Sequence, residues 1–416
     1  MLDIAGEERY YPYFLKGNPF PQMAVIDPYS TDARINGMIF NEEVFQEEIK
    51  DLKQKIDSRI NLIYITGGGW HRGVGKSALM VQEWKRLTSQ PNITSIYMKV
   101  KSKSMPADFC GDIVLKWHEG GFLWEALKKL LLKYVEETPS PKVDRSDVRA
   151  FISTYPKKTD EIQFGLFSFL YKIETVVSDV TKWIRSQSSL AKEKIVQSFL
   201  ETYLTKPSSF SDEWLRITRG KGTDKMECLR TMMELMRISD YLYHYFFMNQ
   251  FEYTIAPLRG AGLTVFSIEM SSLLLACAGQ ATIVVTLHPE AEQALGTPEG
   301  KHVTTLASLD VRHKIDVNLM SWPEGVKLCL SYMNLFRRDK PDNPLYPFHE
   351  DVIKYLTYLA NGVPRDFLES MNRAIEVGVL KDYALLTLDF VEQHHEEITG
   401  KVFMEEKLKE YMEYAK

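Results

Sequence analysis

Cysteine is scarce in this chain: Cys110, Cys228, Cys277 and Cys329 are its only four. They lie far apart and form no C-x-x-C pair, which argues against a zinc knuckle or a dithiol redox motif. Long hydrophobic runs are missing too. No apolar stretch reaches the roughly 18 residues of a membrane-spanning helix. The first thirteen residues are acidic and aromatic. They lack the basic region and apolar run of a signal peptide. The expectation is a reduced, cytoplasmic protein with no membrane segment. There is also no large excess of one charge. Lys plus Arg number 51 against 56 for Asp plus Glu, a net charge of −5. This gives no global attraction to nucleic acid or an anionic membrane. No internal repeat is evident.

What is present suits a globular α/β protein. The 416 residues are 44% hydrophobic and 26% charged, enough for a sizeable core. Apolar runs at 60–66 and 93–100 read as strands, and a glycine-rich turn and a helix over about 76–87 lie between them. Before them, Val44, Phe45, Ile49, Leu52 and Ile56 recur at helical spacing, with Asn41 as the expected cap. Residues 1–40 read as irregular, punctuated by proline and glycine. Helical patterns occupy 121–137, 161–171, 190–203 and 224–237, within a large helical insertion. Strand patterns return at 243–248, 282–287 and 314–319, with a helix over about 263–277. Helices near 323–336, 349–360 and 364–377 close the chain. The alternation predicts a mainly parallel sheet. The expected division is 1–102 for the N-terminal segment and first part of the core, 103–240 for the insertion, 241–320 for the second part of the core, and 321–416 for a helical lid and tail.

The glycine-rich turn carries the chemistry. A phosphate loop has the pattern G-x-x-x-x-G-K-[ST] between a strand and a helix. Glycines let backbone N–H groups approach the phosphates, lysine supplies charge to the β- and γ-phosphates, and the hydroxyl binds Mg²⁺. Gly73-Val74-Gly75-Lys76-Ser77-Ala78 fits this end of the pattern. Counting back places Trp70 where the first glycine belongs and Gly69 one residue early, so the loop reads as one residue longer. ATP and Mg²⁺ are the expected cofactors, with Ser77 on the metal.

Such a site needs a second strand ending in an acidic residue near Mg²⁺, followed by a carboxylate that activates water. Two stretches compete, one running through Asn249-Gln250-Phe251-Glu252 and one ending at Glu269. The first is preferred because a helix and the 282–287 strand follow it in order. Asn249 and Gln250 are amides, however, and an amide cannot act as a general base. Glu252 is the nearest carboxylate. Retained ATP binding with slow hydrolysis is the consequence.

With these motifs the chain resembles the AAA+ and STAND branch of P-loop NTPases, especially archaeal and origin-recognition-like members. The resemblance covers about 17–100 and 243–377 and skips the insertion. Gly17-Asn18-Pro19-Phe20-Pro21 is similar to the segment that lies against the adenine, which implies a nucleotide contact for Pro19 and Phe20. Asn36-Gly37 occupies the place of a Gly-Arg box that here lacks its arginine. Asn249-Gln250-Phe251-Glu252 resembles a D-Q-F-E strand end with Asn for Asp. Gly362-Val363-Pro364-Arg365 resembles the G-x-P-R lid motif, in which Arg365 would report the γ-phosphate. The resemblance further implies a polar sensor at Thr286 or His288 and an arginine finger at Arg312. Together Lys76, Asn249, Glu252, Arg365 and Arg312 form the expected catalytic set, and Ser77 and Asn249 the metal set.

Two functions follow from these expectations. One is a nucleotide-controlled assembly ATPase, homo-oligomeric when ATP bridges core and lid. Support for DNA is thin: only about 36 residues follow Val379, too few for a winged-helix domain, and no basic helix-turn-helix pattern is visible. The other is a hydrolysis-deficient, ATP-bound switch or scaffold that docks a protein partner through the insertion. A kinase-like transferase is the weakest reading, because no acceptor site is identifiable.

Overall fold

The computed structural model describes residues 8–37, 39, 42–67, 72–159, 161–163, 166–219, 224–288, 291 and 313–414. Five strands form one all-parallel sheet: β1 (Leu62–Gly67), β2 (Ile93–Lys99), β3 (Tyr243–Asn249), β4 (Ala281–Thr286) and β5 (Lys314–Val317). Their spatial order is β2-β3-β4-β1-β5. β1, β3 and β4 are buried along their whole length, which is why each reads as a continuous apolar run rather than an alternation. The chain leaves β1 toward the β2 edge and leaves β4 toward the opposite, β5 edge. β1 and β4 are neighbours, so a crevice opens between them at the carboxyl ends of the strands.

The sheet separates two cores. Leu62, Tyr64, Phe246, Met248, Ile283 and Val285 face one side, and Ile63, Ile65, Tyr245, Phe247 and Val284 the other. This is the period-two alternation of strands with both faces covered. On the second side lie α1 (Gln46–Asp57) and α2 (Lys76–Thr88). On the first side the β2–β3 connection carries α3 (Pro106–Glu119), α4 (Phe122–Glu137), α5 (Arg145–Thr154), α6 (Ile173–Gln187), α7 (Glu193–Thr205), α8 (Phe210–Arg219) and α9 (Lys225–Ile238). The β3–β4 connection adds α10 (Glu252–Ile255) and α11 (Ala261–Cys277). The insertion is not a separate body. Phe109, Ile113 and Trp117 of α3 join one continuous core with the sheet, α9 and α11.

Three of the expected insertion helices are present, at α4, α7 and α9. The helix expected over 161–171 is not. Its described part is irregular until a 3₁₀ turn at Ser168–Lys172, because Phe167 and Phe169 turn inward to pack on Phe151 of α5. α3, α5, α6 and α8 are helices beyond those expected. α1 starts later than its apolar pattern: Phe45 stands at the N-cap position and Asn41 lies outside the described residues. Within residues 1–40, a 3₁₀ helix spans Glu8–Tyr13.

The C-terminal segment, the expected lid and so named below, contains α12 (Trp322–Phe336), α13 (Glu350–Leu359), α14 (Pro364–Leu380), α15 (Leu388–Gln393), α16 (His395–Thr399) and α17 (Glu405–Tyr414). α12 begins with a capping box, Ser321 with Glu324, and Pro323 sits in its first turn. The N-terminal segment straps the lid to the sheet. Asn18 Nδ2 donates to the Asn372 carbonyl at 2.9 Å and to Glu376 at 2.8 Å, and Ala24 N–H donates to Glu369 at 3.3 Å. Further along, Asp27 pairs with Lys99 at 3.5 Å and the Tyr29 hydroxyl donates to the Tyr97 carbonyl at 2.9 Å. Among the described residues, no helix is long and apolar enough to cross a membrane.

Candidate functional site

Strand register assembles the site. Met248 pairs with Val285 and Ile65 with Thr286, so Asn249 at the end of β3 comes beside Thr286 at the end of β4. The loop leaving β1 closes over the same edge. Gly73 and Gly75 both have positive φ, +86° and +105°, where a side chain would be strained. Space excludes one as well. A Cβ on Gly75 would lie 2.8 Å from Phe45, and one on Gly73 would lie 2.6 Å from the Cβ of Arg365. Gly75 caps α2, which places Lys76 and Ser77 in its first turn, where backbone N–H groups have no helical acceptor. Val74 is buried in the core beneath and anchors the loop.

A cleft of about 170 Å³ lies over these residues. Ala24, Val25 and Ile26 line it from the strap, Arg72 to Ala78 from the loop, and Asn249, Gln250, Glu252 and Tyr253 from the β3 end. Thr286 and His288 line it after β4, and Arg365 closes it from α14. Among the described residues, three cationic side chains, Arg72, Lys76 and Arg365, thus face a single carboxylate, Glu252. Burial pushes the Lys76 ammonium below its ordinary value; Glu252 opposes this, and Arg365 and Arg72 add to it. Burial raises the Glu252 carboxyl, against a backbone hydrogen bond and the charges of Lys76 and Arg72. The Glu252 Oε2 atom is buried without a hydrogen-bond partner. A larger, open groove of about 760 Å³ runs along α1, but its Glu and Lys side chains are those of a solvated helix face, with no convergent group.

Asn249 is the hub of the β3 end. Its Oδ1 accepts from Ser77 Oγ at 3.0 Å, Thr286 Oγ1 at 2.9 Å and Gln250 N–H at 3.0 Å. Its Nδ2 donates to Tyr97 Oη at 2.6 Å. Gln250 holds a left-handed backbone, φ +63°, and its N–H also reaches Thr286 Oγ1 at 2.9 Å. This bend turns the chain into α10 and sets Glu252 in the cleft wall. Across the cleft, Arg72 Nε donates to His288 Nε2 at 3.1 Å. The lid touches the loop directly, through Arg365 N–H to the Gly73 carbonyl at 3.3 Å and Arg365 Nε to the Ala24 carbonyl at 3.4 Å.

No protein-family profile matches the chain, and no curated protein or solved structure matches it. The reading of the site therefore stands on its geometry.

That geometry brings Gly73, Val74, Gly75, Lys76, Ser77, Ala78, Asn249, Glu252, Thr286, His288 and Arg365 to one cleft edge. Gly69 and Arg312 lie outside the described residues. Pro19 and Phe20 are elsewhere: both are buried away from the cleft, and Phe20 packs against Tyr332 and Phe348 of the lid core. The strap meets the cleft four residues later, at Ala24 to Ile26, because Asn18 and Asn372 pin the earlier segment to α14. Asn36 and Gly37 pack on the outer face of α2, where Lys85 donates to the Asn36 carbonyl at 3.0 Å. Glu269 is not at the cleft; it accepts from the Ala107 N–H at 3.1 Å. Sequence reasoning missed Arg72 and Tyr97. Arg72 had a visible signal, a cation inside the glycine loop. Tyr97 had none, because its role depends on a cross-strand reach. Large aromatic side chains of the insertion go mostly to its own core: Trp117, Trp124, Phe167, Phe169 and Trp183 are buried, Tyr171 is exposed and Phe164 is outside the described residues.

Proposed function

We propose that this chain is an ATP-binding, AAA+/STAND-like P-loop protein in which the lid responds to the nucleotide and hydrolysis is slow. One observation carries the reading. The left-handed Gly75 presents the N-terminus of α2, Lys76 and Ser77 at a parallel-sheet crevice where Arg72 and Arg365 also converge. Oriented N–H groups, a helix N-terminus and convergent cations suit a polyphosphate. The crevice lies where the strand order reverses, the usual ligand position in such sheets. The cleft is smaller than the roughly 300–1,000 Å³ of most small-molecule sites, so entry of a nucleotide requires the Arg365–Gly73 contact to part. In this reading the lid closes on the bound phosphates through Arg365.

Slow hydrolysis follows from the β3 end. Asn249 and Gln250 have no basic oxygen for water activation, which leaves Glu252 as the one carboxylate of the cleft among the described residues. A nucleotide-held switch is therefore favoured over a rapid motor. Control of assembly remains part of the proposal, with a second copy or a protein partner on the nucleotide-bound form.

Isothermal titration with ATP tests the reading. The expected result is micromolar binding, weakened at least about tenfold in Lys76→Ala, a loss of roughly 1.4 kcal/mol. An unliganded titration trace for the folded parent protein refutes it. Steady-state phosphate release at an ordinary rate of about 1 s⁻¹ or more refutes the slow-hydrolysis part. Gel filtration with and without ATP tests nucleotide-controlled assembly.

A further inference from the structure

The Mg²⁺ expected beside the nucleotide does not fit the residues that would hold it. Mg²⁺ is a hard cation that takes oxygen ligands, usually one or two carboxylates together with substrate phosphates. Here the residue at the acidic position is a neutral amide. The Asn249 Oδ1 already accepts from Ser77, Thr286 and the Gln250 N–H, all within 3.0 Å. The amide cannot turn over to offer a different face, because its Nδ2 is held on Tyr97 Oη at 2.6 Å. Ser77 donates its proton to that same oxygen, so the one protein oxygen left to a metal there is a neutral hydroxyl. Among the described residues, three cationic side chains in the cleft face one carboxylate, Glu252, a balance that favours a polyanion over a dication.

We propose that this cleft takes a nucleoside triphosphate as the free, metal-unbound polyphosphate, with Arg72, Lys76 and Arg365 supplying the counter-charge that Mg²⁺ supplies in ordinary phosphate-loop sites. The proposal rests on the nucleotide reading above. It makes Arg72 a ligand-binding residue and assigns the Asn249 amide the task of holding Ser77 and Thr286 in place without a metal. It also accounts for the buried, unpartnered oxygen of Glu252, whose charge is directed at Lys76 and Arg72.

The test is the Kd for ATP on the full chain, measured in excess EDTA and in excess Mg²⁺ at matched ionic strength. Binding in EDTA is expected to equal or exceed that in Mg²⁺, since the metal complex presents less negative charge to the cations. A Kd more than about threefold tighter in Mg²⁺ overturns the proposal. Binding under neither condition overturns the nucleotide reading and this inference with it, so the two failures are distinguishable. Two variants sharpen the result. Arg72→Gln is expected to weaken metal-free binding about tenfold, and Asn249→Asp to bind ATP at least about tenfold more tightly with Mg²⁺ than with EDTA. A variant Asn249→Asp that folds, binds ATP and stays indifferent to Mg²⁺ counts against the role given to the amide.

Discussion

Gly73 offers the sharpest test of the closed arrangement of lid and loop. A Gly73→Ala change meets two obstacles of different origin. The residue has φ +86°, and a left-handed backbone costs a non-glycine residue about 1–2 kcal/mol. Separately, the new Cβ would lie 2.6 Å from the Arg365 Cβ, an overlap that costs about 1–3 kcal/mol to relieve. Together they predict a loss of roughly 2–5 kcal/mol in the parent background. Arg365→Gly removes the atom that is struck and leaves the backbone strain. In that background Gly73→Ala should cost only about 1–2 kcal/mol. The assay is a double-mutant cycle on urea unfolding of the ligand-free protein, with circular dichroism confirming the fold of each variant. A coupling of about 1–3 kcal/mol is expected. Additivity within about 0.5 kcal/mol would refute the direct contact between loop and lid helix.

Other consequences can be checked with the same measurements. His244 is wholly buried and held at a value of about 3 by burial, against an ordinary 6.5. The unfolded chain therefore takes up a proton below pH 6.5 that the folded chain refuses. Stability should fall by about 1.4 kcal/mol per pH unit as pH drops from 6.5 toward 3, and His244→Gln should flatten that slope in urea titrations. Thr94→Val should cost roughly 2–4 kcal/mol in unfolding free energy, because it leaves the Trp117 Nε1–H and the His244 Nδ1 unpaired; a cost below about 1 kcal/mol would contradict the network. Glu252 is raised by burial, so its ionised form penalises the folded state. That penalty is absent below the carboxyl's ordinary 4.5 and grows as pH rises through the higher folded value. Glu252→Gln should therefore stabilise the protein near neutral pH and not at pH 4, as read from paired thermal melts.

The sheet was legible in the sequence because its strands are buried on both faces and stand out as apolar runs. All five strands overlap the stretches expected of them. The turn at Gly75 into the helix that starts at Lys76 was legible because its left-handed backbone calls for glycine. The insertion was harder. The expected helix over 161–171 fails because Phe167 and Phe169 serve a tertiary aromatic cluster, which overrides local spacing. α6 keeps a readable helical period through Val176, Val177, Val180 and Ile184, but its β-branched residues also suit a strand. The union of insertion and sheet into one core has no local signature, since it is made by contacts across long stretches of chain. Phe20 shows the same limit from the other direction. Its motif suggested a ligand contact, whereas Asn18 and Asn372 draw the segment onto α14 and leave the ring in the lid core.

The strap between lid and sheet sets the reach of any opening motion. It holds α14 at Ala24 and the sheet side at Asp27, only three residues further on, and it returns to the lid at Arg34, whose carbonyl accepts from the Tyr332 hydroxyl of α12 at 3.1 Å. An extended chain covers at most about 3.3–3.6 Å per residue, so this tether allows about 10 Å between its two ends. That length is the upper bound on the separation of the α14 contact from the sheet contact while the strap stays moored at both. The strap thus works as a leash of fixed length on α14, with a second mooring on α12 at Arg34, and lengthening it between Ala24 and Asp27 would slacken the first hold without altering a single residue of the glycine loop.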